Sequence, residues 1–208
     1  MPKRESSLRR PPKQERSRER VDEILGAAKR LIGEKGIDAV KMREIAALTG
    51  GPISSIYQYF PNKSAIIATL YSRWSTQIRD LLASRLEQAA GLEELFASVI
   101  SVLDIYYERI RSDPAILDML NAIQADKALK NIDVAETRLQ ARLFCETARP
   151  WIAEDRFEAF RRMTFLMFQL ANGAVRLALA VGENEAQDII DDYKAIIHAQ
   201  LWTFARQG

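Results

Sequence analysis

Residues 43–70 read REIAALTGGPISSIYQYFPNKSAIIATL. Ile45, Ala46 and Leu48 give a short first helix an apolar side, with Ala46 and Ala47 small enough for close approach. Gly50 stands where a helix ends in a left-handed residue, and Gly51 adds freedom to the turn. Pro52 suits the first turn of the next helix, where its missing N–H costs nothing. Ile53, Ile56 and Phe60 then recur at helical spacing and predict anchors into a core. The opposite face carries Ser54, Ser55, Tyr57, Gln58 and Tyr59, whose hydroxyls and amide reach base edges or phosphate oxygens. Pro61 stops this helix, and Asn62 caps a third with Lys63 in its first turn. Helix, glycine turn and polar second helix together predict a helix-turn-helix that presents its second helix to the DNA major groove.

The surrounding residues extend the pattern. Ile24-Leu25 with Ala27-Ala28, Gly36, Ala39-Val40, Met42 to Ala46, Gly50, and Ile56 to Lys63 fall in the spacing of a known DNA-binding domain. Over roughly residues 20–70 the chain resembles the TetR family of transcriptional repressors. It departs from the family at Lys41, where a Ser or Thr cap is usual, and at Gly51-Pro52, where an apolar residue and Ser are usual. The resemblance implies an all-α protein: an N-terminal three-helix helix-turn-helix domain, then a helical ligand-binding and dimerisation domain. It implies base contacts from Ser54, Ser55 and Gln58, with Pro52 at the helix start. Phosphate contacts are expected from Lys41, Arg43, Tyr57, Tyr59 and Lys63.

Charge is divided unevenly. The net value is +2, but residues 1–64 hold 14 Lys/Arg against 8 Asp/Glu and the remainder 16 against 20, or +6 and −4. A basic half that coincides with a helix-turn-helix is the electrostatic footprint of a nucleic-acid face. The first twenty residues hold Lys3, Arg4, Arg9, Arg10, Lys13, Arg16, Arg18 and Arg20. With Pro2, Pro11 and Pro12 they predict a basic flexible arm over 1–19, either a solubilising tail or one that tracks phosphates or an adjacent minor groove. The expected divisions are therefore 1–19, a DNA-binding domain at 20–66 and a helical domain at 67–208.

Beyond the motif, apolar spacing predicts helices throughout. The one starting at Asn62 continues through Trp74, Ile78 and Leu82 into the second domain, a single rod joining both. Further helices are expected near 95–110, 115–128, 133–149, 155–181 and 185–206. The last two carry broad apolar faces. Met167, Leu170, Ala174, Leu177, Ile190, Ile197, Leu201 and Phe204 are candidate dimer contacts, since a two-fold dimer matches a palindromic operator.

Trp74, Phe96, Ile100, Leu103, Tyr106, Tyr107, Met119, Ile123, Phe144, Phe165 and Phe168 are candidates to line an apolar cavity. Gln169, Asn172 and Arg176, at i, i+3 and i+7, are its candidate polar partners, because buried polar atoms require hydrogen bonds. The expected effector is small and largely apolar. No cofactor, metal spacing, phosphate loop or nucleophile elbow is present. His198 is the sole histidine and Cys145 the sole cysteine, so neither a catalytic pair of such residues nor an intrachain disulfide is expected. The Met163–Val181 stretch is interrupted by Gln169, Asn172 and Arg176, and the N-terminus has no secretory pattern. A cytoplasmic, non-enzymatic DNA-binding regulator is the expectation, most simply a repressor released by its effector. A constitutive DNA binder and a ligand-binding protein with a relic DNA domain remain open beside it.

Overall fold

The structure, a computed structural model, describes residues 13–205. The described residues are helical from end to end: α1 (Lys13–Lys35), α2 (Met42–Leu48), α3 (Ile53–Tyr57), α4 (Lys63–Glu87) and α5 (Leu92–Arg111). These are followed by α6 (Pro114–Ala125), α7 (Lys127–Ala148), α8 (Phe157–Ala180) and α9 (Glu183–Trp202). Two short 3-10 turns, Arg149–Trp151 and Glu154–Arg156, join α7 to α8. Among the described residues there is no strand, only an isolated bridge between Ile152 and Ala205.

Local chemistry sets the boundaries. The α2 carboxyl end closes as a Schellman motif: Gly51 N–H donates to Ala46 O at 3.3 Å and Gly50 N–H to Ala47 O at 3.3 Å. That geometry puts Gly50 at φ +63°, a conformation side chains disfavour. Pro52 does not enter α3 but immediately precedes it in extended conformation. Asn62 Oδ1 accepts from Ala65 N–H at 2.9 Å to start α4. Asp113 does the same for α6, with Pro114 in its first position. The absent hydroxyl at Lys41 is offset from the other side, because Glu44 accepts the Lys41 N–H at 2.9 Å. Lys35 Nζ lies 2.6 Å from the same carboxylate and, with that backbone bond, holds the Glu44 carboxyl below its ordinary range.

Two apolar clusters part on α4. Ile66 packs with Ile24, Leu25, Ile45, Ile56 and Phe60, whereas Ile67, Tyr71, Trp74, Ile78 and Leu82 pack into the larger bundle of α4–α9. The division is not complete, since Ala115 of α6 belongs to the smaller cluster. Lys29 to Asp113 and Arg73 to Asp22, both at 2.6 Å, also tie α1 to its neighbours. The centre of the bundle is aromatic: Phe144 lies between Phe96, Phe160 and Phe168 at centroid distances of 5.9–6.3 Å.

Several expectations are corrected here. Residues 13–19 extend α1 instead of belonging to an arm, because the helix continues without a break into Val21. Residues 1–12 and 206–208 lie outside the described residues. Leu48 and Ile53 are exposed, so α2 and α3 are anchored by the buried Ile45, Ala46, Ile56 and Phe60, with Met42 and Tyr59 partly buried against them. The fourth helix of the bundle starts at Lys127, not near 133. By length and composition Glu154–Ala180 is apolar enough to cross a membrane, yet its inner face packs on α7 and α9 and carries a polar network described below.

Candidate nucleic-acid interface and internal cavity

The surface around α2 and α3 is built on the turn between them. Lys41, Arg43, Pro52, Ser54, Tyr57 and Gln58 are all exposed there, and Tyr57 retains 49% of its surface. These six expected residues are all free of the core.

The other three are engaged with the protein itself. Ser55 Oγ donates to Pro52 O at 2.8 Å and accepts from Arg20 Nη2 at 3.2 Å. Tyr59 is half-buried against the small cluster. Lys63 Nζ donates to Ile37 O at 2.7 Å and Asp38 O at 3.4 Å, which ties α4 to the α1–α2 loop and leaves one N–H for other use.

Arg20 is the residue sequence reasoning misplaced. Its guanidinium reaches Thr49 O at 2.8 Å, Thr49 Oγ1 at 3.2 Å and Ser55 Oγ at 3.2 Å, bridging the end of α2 to the start of α3. A Cβ on Gly51 would lie 2.6 Å from Nη2, so the second glycine makes room for this fork. Only the pairing of an arginine one helix earlier with a Gly-Gly turn hints at it in the sequence.

The larger bundle encloses a cavity of about 80 Å³ between α4, α5, α7, α8 and α9. Of the expected lining, Trp74, Leu103, Tyr106, Phe168 and Asn172 are there. Phe96, Tyr107, Ile123 and Phe144 are buried in the core and lie off the cavity wall. Phe165 sits under the Arg138 guanidinium at 5.0 Å, and Ile100, Met119 and Arg176 also lie off the cavity wall.

Sequence reasoning missed Tyr71, Ser75, Thr137, Gln140 and Thr164 in the wall, and above all Asp133 behind it. Asp133 is 1% exposed. It accepts from Tyr71 Oη at 2.5 Å, Gln124 Nε2 at 3.0 Å, Gln169 Nε2 at 2.8 Å and Asn172 Nδ2 at 3.4 Å. Tyr106 Oη donates to Asn172 Oδ1. Burial first, and then the Asp133 charge, push both the Tyr71 and Tyr106 phenols above their ordinary range. Asn172 lines the cavity, whereas Gln169 lies off its wall; both donate to Asp133, a carboxylate that looked like a surface residue in the sequence.

Cys145 is buried beside this wall, and burial pushes its thiol up to about 11, against a weaker opposing bond from Thr164. It should therefore stay a thiol in the folded protein and resist iodoacetamide at about pH 8. Unfolding in guanidinium should release one reactive thiol; modification at the same rate in both states would contradict the buried position.

The expected dimer residues divide in the same way. Ile190, Ile197 and Leu201 are buried in the bundle, Met167 lines the cavity, and Phe204 packs on Phe160 at 5.7 Å. Leu170 and Leu177 remain exposed at 47% and 54%, joined by Leu166 at 53% on the same face of α8 and Ile196 at 51% on α9. Ala174 is half-buried beside them.

A helix-turn-helix head joined through one continuous helix to a hollow helical bundle defines a DNA-binding regulator with a ligand-binding domain. The chain belongs to the TetR family. The profile described as bacterial regulatory proteins, tetR family, matches residues 24–75, and that of the tetracyclin repressor-like C-terminal domain matches residues 93–205. No curated protein sequence matches the chain. A TetR-family regulator from Streptomyces coelicolor is similar at 25% identity, over 90% of this chain and 98% of that one, with a TM-score of 0.68. One from Rhodococcus sp. RHA1 is 21% identical over 89% and 98%, with a TM-score of 0.61. RolR in complex with resorcinol is 16% identical over 94% and 92%, with a TM-score of 0.67. Members of the family are transcription factors, not enzymes.

Proposed function

We propose that this protein is a homodimeric repressor, with residues 20–66 reading a palindromic operator and residues 67–208 sensing a small, largely apolar effector. The observation that carries this reading is the double duty of α4. Its Ile66 is buried in the helix-turn-helix core, while Tyr71, Trp74, Ser75, Ile78 and Leu82 on the following turns line the cavity. A molecule that fills the cavity better in one α4 position than another biases the helix-turn-helix by that difference in binding free energy. Two recognition helices must meet half-sites about 34–36 Å apart, so a modest swing of α4 lowers operator affinity. The cavity favours this over a constitutive binder, whose bundle needs no hollow. RolR bound to resorcinol supports a monocyclic ligand of matching size for this fold. The apolar strip Leu166, Leu170 and Leu177 with Ile196 supports pairing with a second copy through α8 and α9. A DNA reader of this kind works in the cytoplasm, where the chromosome is.

Base readout falls to Ser54 and Gln58, and phosphate contacts to Lys41, Arg43 and Tyr57. Fluorescence anisotropy on DNA from just upstream of the gene, against scrambled DNA at fixed salt, tests this. Wild type should prefer the upstream DNA by roughly a thousandfold. Gln58→Ala, at an exposed base reader, should cost about 1–3 kcal/mol of that preference, whereas Tyr57→Ala should weaken binding to both DNAs about equally. Equal, salt-sensitive binding to both DNAs would refute specific recognition at that site.

A further inference from the structure

The cavity has a sign. Both Asp133 oxygens are occupied by neutral donors, a phenol and three amides, and Asp133 has no ion-pair partner among the described residues. A carboxylate so deep in protein is costly when no cation accompanies it, because its field acts through low-dielectric surroundings. The Arg176 charge is felt at Tyr106, but Arg176 makes no salt bridge to Asp133.

The same carboxylate orients the wall in front of it. Tyr71 gives its hydrogen to Asp133, and Tyr106 gives its own to Asn172, whose amide in turn donates to Asp133. Each phenol oxygen, its hydrogen committed, offers the cavity only lone pairs. Burial raises both phenols above their ordinary range, so they keep those hydrogens across the physiological range of pH. Thr164 Oγ1, in the wall and 1% exposed, has the Cys145 thiol beside it but no nitrogen or oxygen partner among the described residues. The rest of the wall is aliphatic with Ser75, Thr137 and Gln140, and it carries three further rings: Trp74 and Tyr106, at a centroid distance of 5.9 Å, and Phe168. Ring faces attract cations.

We propose that the ligand of this cavity is a compact aromatic molecule bearing a protonated amine, and that the site discriminates against carboxylates. The ring sits among Trp74, Tyr106 and Phe168. The ammonium donates to the Tyr71 and Tyr106 oxygens, with Asp133 behind them as its counter-charge, and Thr164 is its third acceptor. This inference rests on the effector reading above, to which it adds the head-group chemistry.

Four probes of one shape and different heads decide it: benzylamine, benzyl alcohol, toluene and benzoate, titrated calorimetrically into the full-length protein at about pH 7. Benzylamine should bind about tenfold tighter than benzyl alcohol and about a hundredfold tighter than benzoate. Asp133→Asn, checked for retained helicity, should bring amine and alcohol within about threefold of one another. The ranking in wild type needs no variant. Benzoate binding as tightly as benzylamine, no binding by any probe, or an unchanged ranking in a folded Asp133→Asn protein each overturns the proposal. Operator release followed in the same titrations separates the two readings. Amine binding without release refutes the effector reading and upholds the head-group assignment, whereas release driven by benzoate does the reverse.

Discussion

Replacing Leu170 and Leu177 together by glutamate is expected to yield a folded monomer with about a hundredfold weaker operator binding. Both side chains are about half exposed in the single chain, so neither contributes much to the fold of one protomer. In a two-fold pair formed through α8 they are expected to become the apolar centre of the interface. Each buried leucine then contributes about 1.5–3 kcal/mol, and both protomers supply the pair. Four carboxylates at that centre face desolvation and mutual repulsion together. Operator affinity falls further than any single contact explains, because the second half-site is bound at an effective concentration that only a dimer provides. That advantage is typically 10²–10⁴.

Sedimentation should give 23.6 kDa for the double variant and twice that for wild type. Far-UV circular dichroism should report unchanged helicity. A variant that stays dimeric and binds the operator as wild type does would move the interface off this strip. A monomer with full operator affinity would remove the need for a dimer altogether.

What the sequence revealed and what it hid follow one physical division. Helix periodicity and chain punctuation are local, so the helical plan, the Gly50 turn and the Asn62 cap were all legible. Burial on a given helix is tertiary. The last two helices carry apolar faces broader than one groove requires, and nothing local says that Ile190 and Leu201 face inward while Leu177 and Ile196 face outward. The same limit hid Asp133. In the sequence it sits between Ile132 and Val134 at the start of a helix, where an acidic residue favours the helix N-terminus. Its donors come from three other helices, at Tyr71, Gln124 and Gln169. Gln169 and Asn172 were legible because a helical spacing of polar residues in an apolar stretch demands partners. The partner itself was not. Lys63 and Arg20 show the opposite failure. A cation near a DNA face was read as a phosphate ligand, when backbone carbonyls within the domain already engage it.

Arg20→Ala is expected to lower operator affinity about 10–100-fold while leaving ligand binding in the bundle unchanged. The guanidinium is the link between α2 and α3. Thr49 and Ser55 give their hydroxyl hydrogens to Ile45 O and Pro52 O, so their remaining lone pairs are what Arg20 Nη2 finds. Its Nη1 takes the Thr49 carbonyl at 2.8 Å, at the negative end of α2. Charge-assisted bonds of this kind contribute about 1.5–3 kcal/mol where they are shielded, and the Arg20 side chain is only 21% exposed. Arg20→Lys should not rescue, because a single ammonium lacks the planar fork that reaches three oxygens at once.

Gly51→Ala should reproduce part of the loss by another route. Gly51 has no positive φ, so the alanine backbone is unstrained, but its Cβ displaces the guanidinium from 2.6 Å. The two changes remove the same link, and the double variant should be no worse than Arg20→Ala alone. If Arg20 instead held a DNA phosphate, its loss would lower the salt dependence of binding by about one counter-ion and leave the melting temperature unchanged. The turn-clamp role gives the other combination: an unchanged salt slope, a lower melting temperature and a non-additive cycle with Gly51.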